Sequence, residues 1–268
     1  MSIIQAIVLG VIQGITEFLP ISSSGHLVFI PKLFGWGDQG LAFDTIMHLG
    51  TLLAVVVYFR KKLWKILRAV FLYKNKEIRN DRKLGWLLIL SIIPAGIIGL
   101  FFDNWIETNL RSTTVIAFGL IFWGIILFFA DRVSQKKSST RSLGQTGWKQ
   151  TLFIGCAQAI ALIPGTSRSG ITMTAGLFSK FNKKSAAEFS FLMSIPVIGL
   201  AGLLQILELV QNGFGSIGLL SLTIGFVVSA ISGFFAITGL MKIIQKWSFT
   251  PFVVYRVIVG VLILFFFK

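Results

Sequence analysis

The chain has 268 residues, of which 54% are hydrophobic and 13% are charged. Because soluble domains carry about 25% charged residues, this composition excludes an ordinary soluble protein and predicts an integral membrane protein. The formal net charge of +15 does not indicate a nucleic-acid partner, since the basic residues lie in short loops between apolar runs and do not cover a folded face.

Apolar runs of spanning length follow one another along the chain, each close to the ~20 residues that a membrane helix needs. They lie at 41–59, 84–102, 113–131, 187–209, 217–241 and 250–267. Between them, 20 of the 25 basic residues fall in four short segments, at 60–83, 132–149, 180–184 and 242–246. Cytoplasmic loops are enriched in Lys and Arg, so these segments are predicted to face the cytoplasm.

Two further segments do not fit a simple series of spans. Residues 150–179 lie between two basic flanks, so this segment is predicted to enter the membrane and return to the same side as a re-entrant helical hairpin. Residues 1–40 must end outside, because the span 41–59 begins there. They are predicted to form a second hairpin, which opens to the exterior.

The two hairpins resemble each other in sequence, because a Gly and a Gln with the same spacing precede each polar tip. Gln13 lies twelve residues before Gly25, and Gln158 lies twelve residues before Gly170. Each hairpin is followed by three spans, and inverted repeats with broken helices are typical of transporters.

The sequence predicts an all-α integral membrane protein with an inverted repeat, about six transmembrane helices and two re-entrant hairpins. Its predicted parts are a first half at 1–131, a basic cytoplasmic loop at 132–146 and a second half at 147–268.

The tip of the first hairpin carries an acid, hydroxyls and a histidine. Gln13 and Glu17 are four residues apart and share one face of a helix. Glu17 is a candidate base or metal ligand, and His26 is a candidate nucleophile or acid–base group. His26 is equally well interpreted as a hydrogen-bonded core residue. The candidate hydroxyl nucleophiles follow the break at Pro20: Ser22, Ser23 and Ser24.

The tip of the second hairpin carries a basic group with hydroxyls. Arg168 lies between Ser167 and Ser169, and its planar fork of donors suits a phosphate. Gly170 and Thr172 follow, in a turn that opens a helix and offers backbone N–H groups to an anion. If the two tips meet, one half binds the anion and the other supplies the nucleophile and metal ligand, as phosphoryl transfer requires.

Other interpretations of the polar residues stay open. Glu17 and Arg168 could be a structural buried pair, and a stretch rich in Ser and Gly can mark only a close helix crossing. Asp44 and His48, four residues apart, either support the site as a second layer or mark the membrane interface. Arg256 in the last span is expected to pair or to snorkel, and a structural role is favoured for it.

Two strings resemble the signature motifs of the bacterial undecaprenyl-pyrophosphate phosphatases, also called bacitracin-resistance proteins. They are Gln-Gly-Ile-Thr-Glu-Phe-Leu-Pro-Ile-Ser-Ser-Ser-Gly-His at 13–26 and Pro-Gly-Thr-Ser-Arg-Ser-Gly-Ile-Thr at 164–172. The resemblance covers the whole chain. It includes Phe43-Asp44…His48-Leu-Gly-Thr, Ala187-Glu-Phe-Ser-Phe-Leu and Pro251-Phe…Tyr255-Arg256.

The resemblance implies a multi-pass hydrolase of the bacterial plasma membrane, often dimeric. It would remove the terminal phosphate of undecaprenyl diphosphate and return undecaprenyl phosphate to peptidoglycan synthesis, which gives bacitracin resistance. A divalent cation, Mg²⁺ or Ca²⁺, would assist, and the site would open to the outer face. The partners are therefore the lipid substrate, the bilayer and a second copy of the chain, with no nucleic acid.

The resemblance also implies residue roles. Glu17 is the motif acid and the candidate metal ligand. Ser23 and His26 are the candidate nucleophile and its partner, with the order left open. Some members carry Glu where this chain has Gln13, so here Glu17 would carry any carboxylate role alone, with Gln13 as a second candidate ligand. The remaining polar tip residues are expected to bind phosphate together with Arg168: Ser22, Ser24, Gly25, Ser167, Ser169, Gly170 and Thr172.

A different class of function remains open from the sequence. A transporter or flippase that binds a polyprenyl phosphate lipid without cleaving it would also have an inverted repeat and opposed hairpins. A purely structural membrane protein would account for the spans but not for the two polar tips.

Overall fold

The computed structural model of the protein describes residues 1–71, 79–136, 141–212 and 218–267. These parts contain ten α-helices: α1 Ile3–Phe18, α2 Ser23–Leu33, α3 Gly40–Phe71, α4 Arg79–Leu110, α5 Thr113–Lys136, α6 Trp148–Ile160, α7 Arg168–Phe178, α8 Lys183–Asn212, α9 Leu219–Lys246 and α10 Thr250–Phe266. A short 3₁₀ turn, Leu143–Gln145, precedes α6. No β-strand occurs in the described parts, so the predicted all-α class is confirmed.

Five of the described helices are long and apolar enough to cross a membrane: α3, α4, α5, α8 and α9. The multi-pass prediction is therefore confirmed. The sixth predicted span, 250–267, forms α10, which has 17 residues and a length of about 26 Å at 1.5 Å per residue. That length lies at the lower limit for crossing a hydrocarbon core about 30 Å thick.

Two helices extend beyond the membrane spans predicted for them. Helix α3 runs on to Phe71, beyond the predicted end at 59, because Lys and Arg are good helix formers and their long side chains can lie outside the apolar layer. Helix α4 likewise continues to Leu110. Parts of the predicted basic segments, at 72–78 and 137–140, lie outside the described residues.

Both predicted hairpins are pairs of short helices joined by a break. In the first, α1 and α2 have 16 and 11 residues; in the second, α6 and α7 have 13 and 11. At 1.5 Å per residue these arms are about 16–24 Å long. Each arm is therefore shorter than the full apolar layer, which is compatible with a re-entrant hairpin; the depth of the breaks stays a prediction.

Each hairpin packs on a helix of the other half of the chain. Helix α1 packs on α9, and α6 packs on α4, while α3 meets α8 and α5 meets α10. The first crossing is close, because a Cβ added at Gly14 would overlap Ser232 Oγ and lie 2.6 Å from Gly233 N. A two-fold relation between the halves predicts this exchange of hairpins. The division at 131 and 147 itself stays a prediction.

Candidate active site

The tips of the two hairpins touch each other in the interior of the helix bundle. The hydroxyl of Ser169 donates a hydrogen bond of 2.9 Å to the Leu19 carbonyl oxygen. The guanidinium of Arg168 donates from Nη2 to Glu17 Oε1 at 2.6 Å. The juxtaposition that the repeat predicted is therefore present, and it joins residues about 150 positions apart.

Glu17 is the centre of this contact. Its side chain is 7% exposed, and a carboxylate buried to this extent needs several donors. Oε1 accepts from Arg168, and Oε2 accepts from Ser23 Oγ at 2.7 Å and from Gln13 Nε2 at 3.1 Å. His48 Nε2 lies 3.6 Å from Oε2. The acid thus gathers groups from α1, α2, α3 and α7.

Both breaks have the same local backbone. Ser22 and Ser167 cap α2 and α7 with φ/ψ of 73°/93° and 72°/106°. Positive φ is uncommon for residues other than glycine and costs energy, which makes such positions candidates for function. With Ser22 aligned to Ser167, Ser23 aligns with Arg168. The repeat therefore places a hydroxyl on one tip and a guanidinium on the other at equivalent positions, and both bind Glu17.

A cavity of 410 Å³ opens beside the tips, with two chemically different walls. The polar wall contains Glu17, Arg168 and Ser167 together with the three serines of the first tip. The second wall is mostly apolar and comes from α4, α8 and the residues directly after α6: Ala95, Ala161, Leu162, Val197, Ile198 and Ala201. A cavity of this kind fits a molecule with a charged head and an apolar chain.

Several residues that the sequence assigned to phosphate do not line this cavity. Thr172 Oγ1 bonds to the Arg168 and Ser169 carbonyls and to Ser190 Oγ, and so it joins α7 to α8. Gly170 is enclosed by the Ser167 and Arg256 side chains. Gly25 lies against Ile116, and Ser169 bonds to the first tip. These residues hold the tips in place beside the cavity.

His26 lies away from the cavity wall. Its Nδ1 contacts the Ser22 carbonyl oxygen at 2.7 Å, and its Nε2 contacts the Tyr255 hydroxyl at 2.7 Å. The two rings stack with an interplanar angle of 6°. Both ring nitrogens therefore have partners inside the protein, and the residue is 4% exposed.

Asp44 and His48, by contrast, line the cavity. His48 Nδ1 lies 2.7 Å from the Asp44 carbonyl oxygen. A carbonyl oxygen can only accept a hydrogen bond, so His48 Nδ1 is the donor. Asp44 Oδ1 accepts from Gln39 Nε2 at 2.8 Å. The structure thus places His48 beside Glu17, with Asp44 one helical turn before it on the same cavity wall.

Arg256 has the structural role that the sequence favoured, with partners that the sequence did not predict. It does not snorkel, because it is 0% exposed, and its hydrogen-bond partners among the described residues are all backbone carbonyls. It donates to Pro20 on the first tip, to Gly165 and Thr166 on the second, and to Gly119 and Leu120 on α5. One guanidinium therefore ties both breaks to one helix.

Gln158 is a cavity residue to which sequence reasoning assigned no role. The sequence had matched it to Gln13 by its spacing in the repeat, and that match was the available signal. The role of Tyr255 as the partner of His26 had no comparable signal, because the two residues are 229 positions apart.

Known proteins of one family resemble this chain along nearly its whole length. The family model described as bacitracin resistance protein BacA matches residues 6–262. The chain belongs to this family. It is 48% identical over 269 residues to undecaprenyl-diphosphatase 2 of Stutzerimonas stutzeri, covering 100% of this chain and 99% of that protein. Undecaprenyl-diphosphatase 1 of Pseudoalteromonas translucida is 49% identical over 262 residues, with 97% of each chain covered. Undecaprenyl-diphosphatase of Campylobacter curvus is 48% identical over 268 residues, with 100% of each covered. Both tip motifs of this BacA family member fall inside the matched region.

Proposed function

We propose that the protein hydrolyses undecaprenyl diphosphate to undecaprenyl phosphate and inorganic phosphate. This reaction recycles the lipid carrier for peptidoglycan synthesis and gives resistance to bacitracin. The observation that carries the proposal is the convergence of Ser23 and Arg168 on Glu17 at the polar wall of a cavity whose other wall is apolar. The diphosphate head fits the polar wall, and the first units of the prenyl chain fit the apolar wall formed by α4, α8 and the residues directly after α6.

In this proposal Ser23 is the nucleophile and Glu17 is its base. The Ser23 hydroxyl lies on the cavity wall and already donates to Glu17 Oε2 at 2.7 Å, within the distance that proton transfer requires. His26 is not favoured as the nucleophile because its nitrogens contact Ser22 and Tyr255. We propose that it positions the break that carries Ser23.

The reaction would occur in two transfers. In the first, the bond from Ser23 Oγ to the terminal phosphorus forms, the bond from that phosphorus to the bridging oxygen breaks, and the Ser23 proton passes to Glu17. Undecaprenyl phosphate leaves with the electron pair of the broken bond. In the second, water attacks the same phosphorus and both of its protons leave with the inorganic phosphate, while the bond to Ser23 breaks and the serine oxygen regains its proton from Glu17. Arg168 stabilises the negative charge on the transferred group throughout.

A divalent cation is part of the proposal; the described residues contain no group of three His, Cys, Asp or Glu side chains that could hold one, so substrate phosphates would have to complete its ligands. Mg²⁺ and Ca²⁺ take oxygen ligands, and Mg²⁺ is often held by one or two carboxylates together with substrate phosphates. Glu17 would supply the carboxylate. Gln13 Oε1 is a buried acceptor without a hydrogen-bond partner among the described residues, one helical turn away. When bound, the cation would neutralise phosphate charge and so favour nucleophilic attack.

The active site is proposed to open to the outer face of the plasma membrane. The cavity is lined by the first turns of α3, at Leu41, Asp44 and His48. The basic residues of α3 lie at its other end, from Arg60 to Arg68. Because the basic ends of spans face the cytoplasm, the first turns of α3 face outward. Association into a homodimer stays a prediction.

The exchange of hairpins between the halves also suits a carrier that binds a phosphorylated lipid without cleaving it. One assay separates the two functions. Purified protein is incubated with undecaprenyl diphosphate in detergent, with and without a chelator, and inorganic phosphate is measured for the wild type and for Glu17→Gln. We expect chelator-sensitive release by the wild type and none by the variant. No release by folded wild-type protein would refute the hydrolase and leave the carrier.

A further inference from the structure

Gln158 is the one residue of the cavity wall whose side-chain amide is fully buried and has neither of its polar atoms paired within the described residues. The residue is 2% exposed, and neither Nε2 nor Oε1 has a hydrogen-bond partner there. Buried polar groups are almost always hydrogen-bonded, so an unpaired amide at a cavity wall indicates a ligand that completes it. Its helix, α6, lies close against α4, since a Cβ at Gly155 would lie 2.5 Å from the Ser91 carbonyl oxygen.

The inverted repeat explains why this amide is left over. Its counterpart in the first half, Gln13, donates to Glu17 four residues later. In the second half the residue four positions after Gln158 is Leu162, which cannot accept a hydrogen bond. The repeat thus duplicates the glutamine without the acid, and the second amide remains available to a molecule in the cavity.

The position of Gln158 decides which part of a ligand it meets. Ala161 and Leu162, which directly follow the end of α6, line the cavity next to Gln158 in the chain, and α8 adds the apolar residues Ile198 and Ala201. Glu17 and Arg168, which face the transferred phosphate in the proposed reaction, line the same cavity from the two hairpin tips. Gln158 therefore stands in the chain between the tip that holds Arg168 and an apolar part of the lining, where the head of a lipid diphosphate would join its apolar chain.

We propose that the Gln158 amide binds the phosphate that stays on the lipid, with Nε2 donating to its oxygens. Gln158 is thus a positioning residue that holds the substrate by the group common to undecaprenyl diphosphate and undecaprenyl phosphate. This inference rests on the proposed function for the identity of the ligand, but not on turnover.

The test is Gln158→Met, which keeps the length of the side chain and removes both polar atoms. Affinity for undecaprenyl phosphate, measured by equilibrium binding in detergent, is expected to fall about tenfold, the effect of losing one hydrogen bond to a charged group. The thermal midpoint of the ligand-free protein is expected to rise, because the variant no longer buries an unpaired amide. The stabilising thermal shift produced by inorganic phosphate, which would occupy the Arg168 side, is expected to stay as in the wild type.

Two further variants keep the result interpretable. Gln205→Met changes another glutamine of the same cavity, which already has an interaction in the protein, so it should not raise the thermal midpoint. Gln158→Glu preserves shape but adds a negative charge, so it should weaken undecaprenyl phosphate binding more than Gln158→Met does.

Three results would overturn the proposal. The first is an affinity of Gln158→Met for undecaprenyl phosphate that equals that of the wild type. The second is a lower thermal midpoint of that variant. The third is a loss of the thermal shift produced by inorganic phosphate that is as large as the loss of undecaprenyl phosphate binding. Because binding is measured without turnover, a wild-type protein that binds the lipid but releases no phosphate would refute the hydrolase while leaving the role of Gln158 intact.

Discussion

Replacing Arg256 by lysine tests whether one buried guanidinium holds the active site together. The variant keeps a positive charge on a flexible stem but exchanges a planar fork of five donors for an ammonium group with three. Arg256 makes five hydrogen bonds to carbonyl oxygens of the two tips and α5. Lysine can make at most three, so at least two are lost.

The expected magnitude follows from that count. Hydrogen bonds to charged groups contribute about 1.5–3 kcal/mol each, so the free energy of unfolding should fall by about 3–6 kcal/mol. At roughly 2–4 °C per kcal/mol, the thermal midpoint should fall by at least about 6 °C. The tips would also shift relative to each other, and a misplacement of about 1 Å can cost on the order of 100-fold in rate.

Both quantities can be measured on one detergent preparation, by thermal unfolding and by inorganic phosphate release from undecaprenyl diphosphate. Arg68→Lys is the matched control, because Arg68 is exposed near the end of α3, and it should behave as the wild type. If Arg256→Lys kept both the wild-type midpoint and the wild-type rate, the claim that Arg256 ties the tips together would be refuted.

Three other changes separate the proposed roles of the tip residues from packing. Ser23→Ala should abolish phosphate release while its expression is unchanged. Ser24→Ala, which removes the neighbouring exposed hydroxyl, should retain most of the phosphate release. Equal activity of the two variants would contradict nucleophilic attack by Ser23. Arg168→Lys should lower kcat by about 100-fold, since a single ammonium cannot reproduce the guanidinium fork that binds Glu17 and phosphate together. A change confined to KM would argue against a role of Arg168 in the transition state. Gly14→Val should reduce the amount of folded protein, because its side chain would overlap Ser232 where α1 crosses α9; normal yield and a normal thermal midpoint would show that this crossing is less tight than described.

The sequence was sufficient for the properties that depend on nearest neighbours and on composition. The apolar runs predicted the long helices, because a membrane helix needs about 20 consecutive apolar residues. The breaks at Pro20 and at Pro164–Gly165 interrupt these patterns, since such polar backbone is tolerated in a membrane only inside protein or beside a cavity. The pairing of Gln13 with Glu17 follows from their spacing of four residues on one helix.

Sequence was insufficient where side chains converge from distant helices. His26 stands three positions after Ser23, yet α2 turns the serine toward Glu17 and the histidine toward Tyr255 on α10. The structural role of Arg256 was favoured from the sequence, but its partners were not predicted, because the carbonyls of both tips come within its reach only in the folded protein, and a buried arginine can be satisfied by carbonyls as well as by an acid. No spacing rule contains that information.

The sequence by itself determined the class of the protein, its helices and the chemical character of its two tips, because helix length, apolar pattern and helix breaks are local properties of the chain. Only the tertiary structure decided which tip residues face the cavity. Ser23, Arg168 and Gln158 line it, while His26 and Thr172 lie outside it. Each of those outcomes depends on how α1 and α6 pack against helices of the opposite half, and hence on contacts between residues far apart in the sequence.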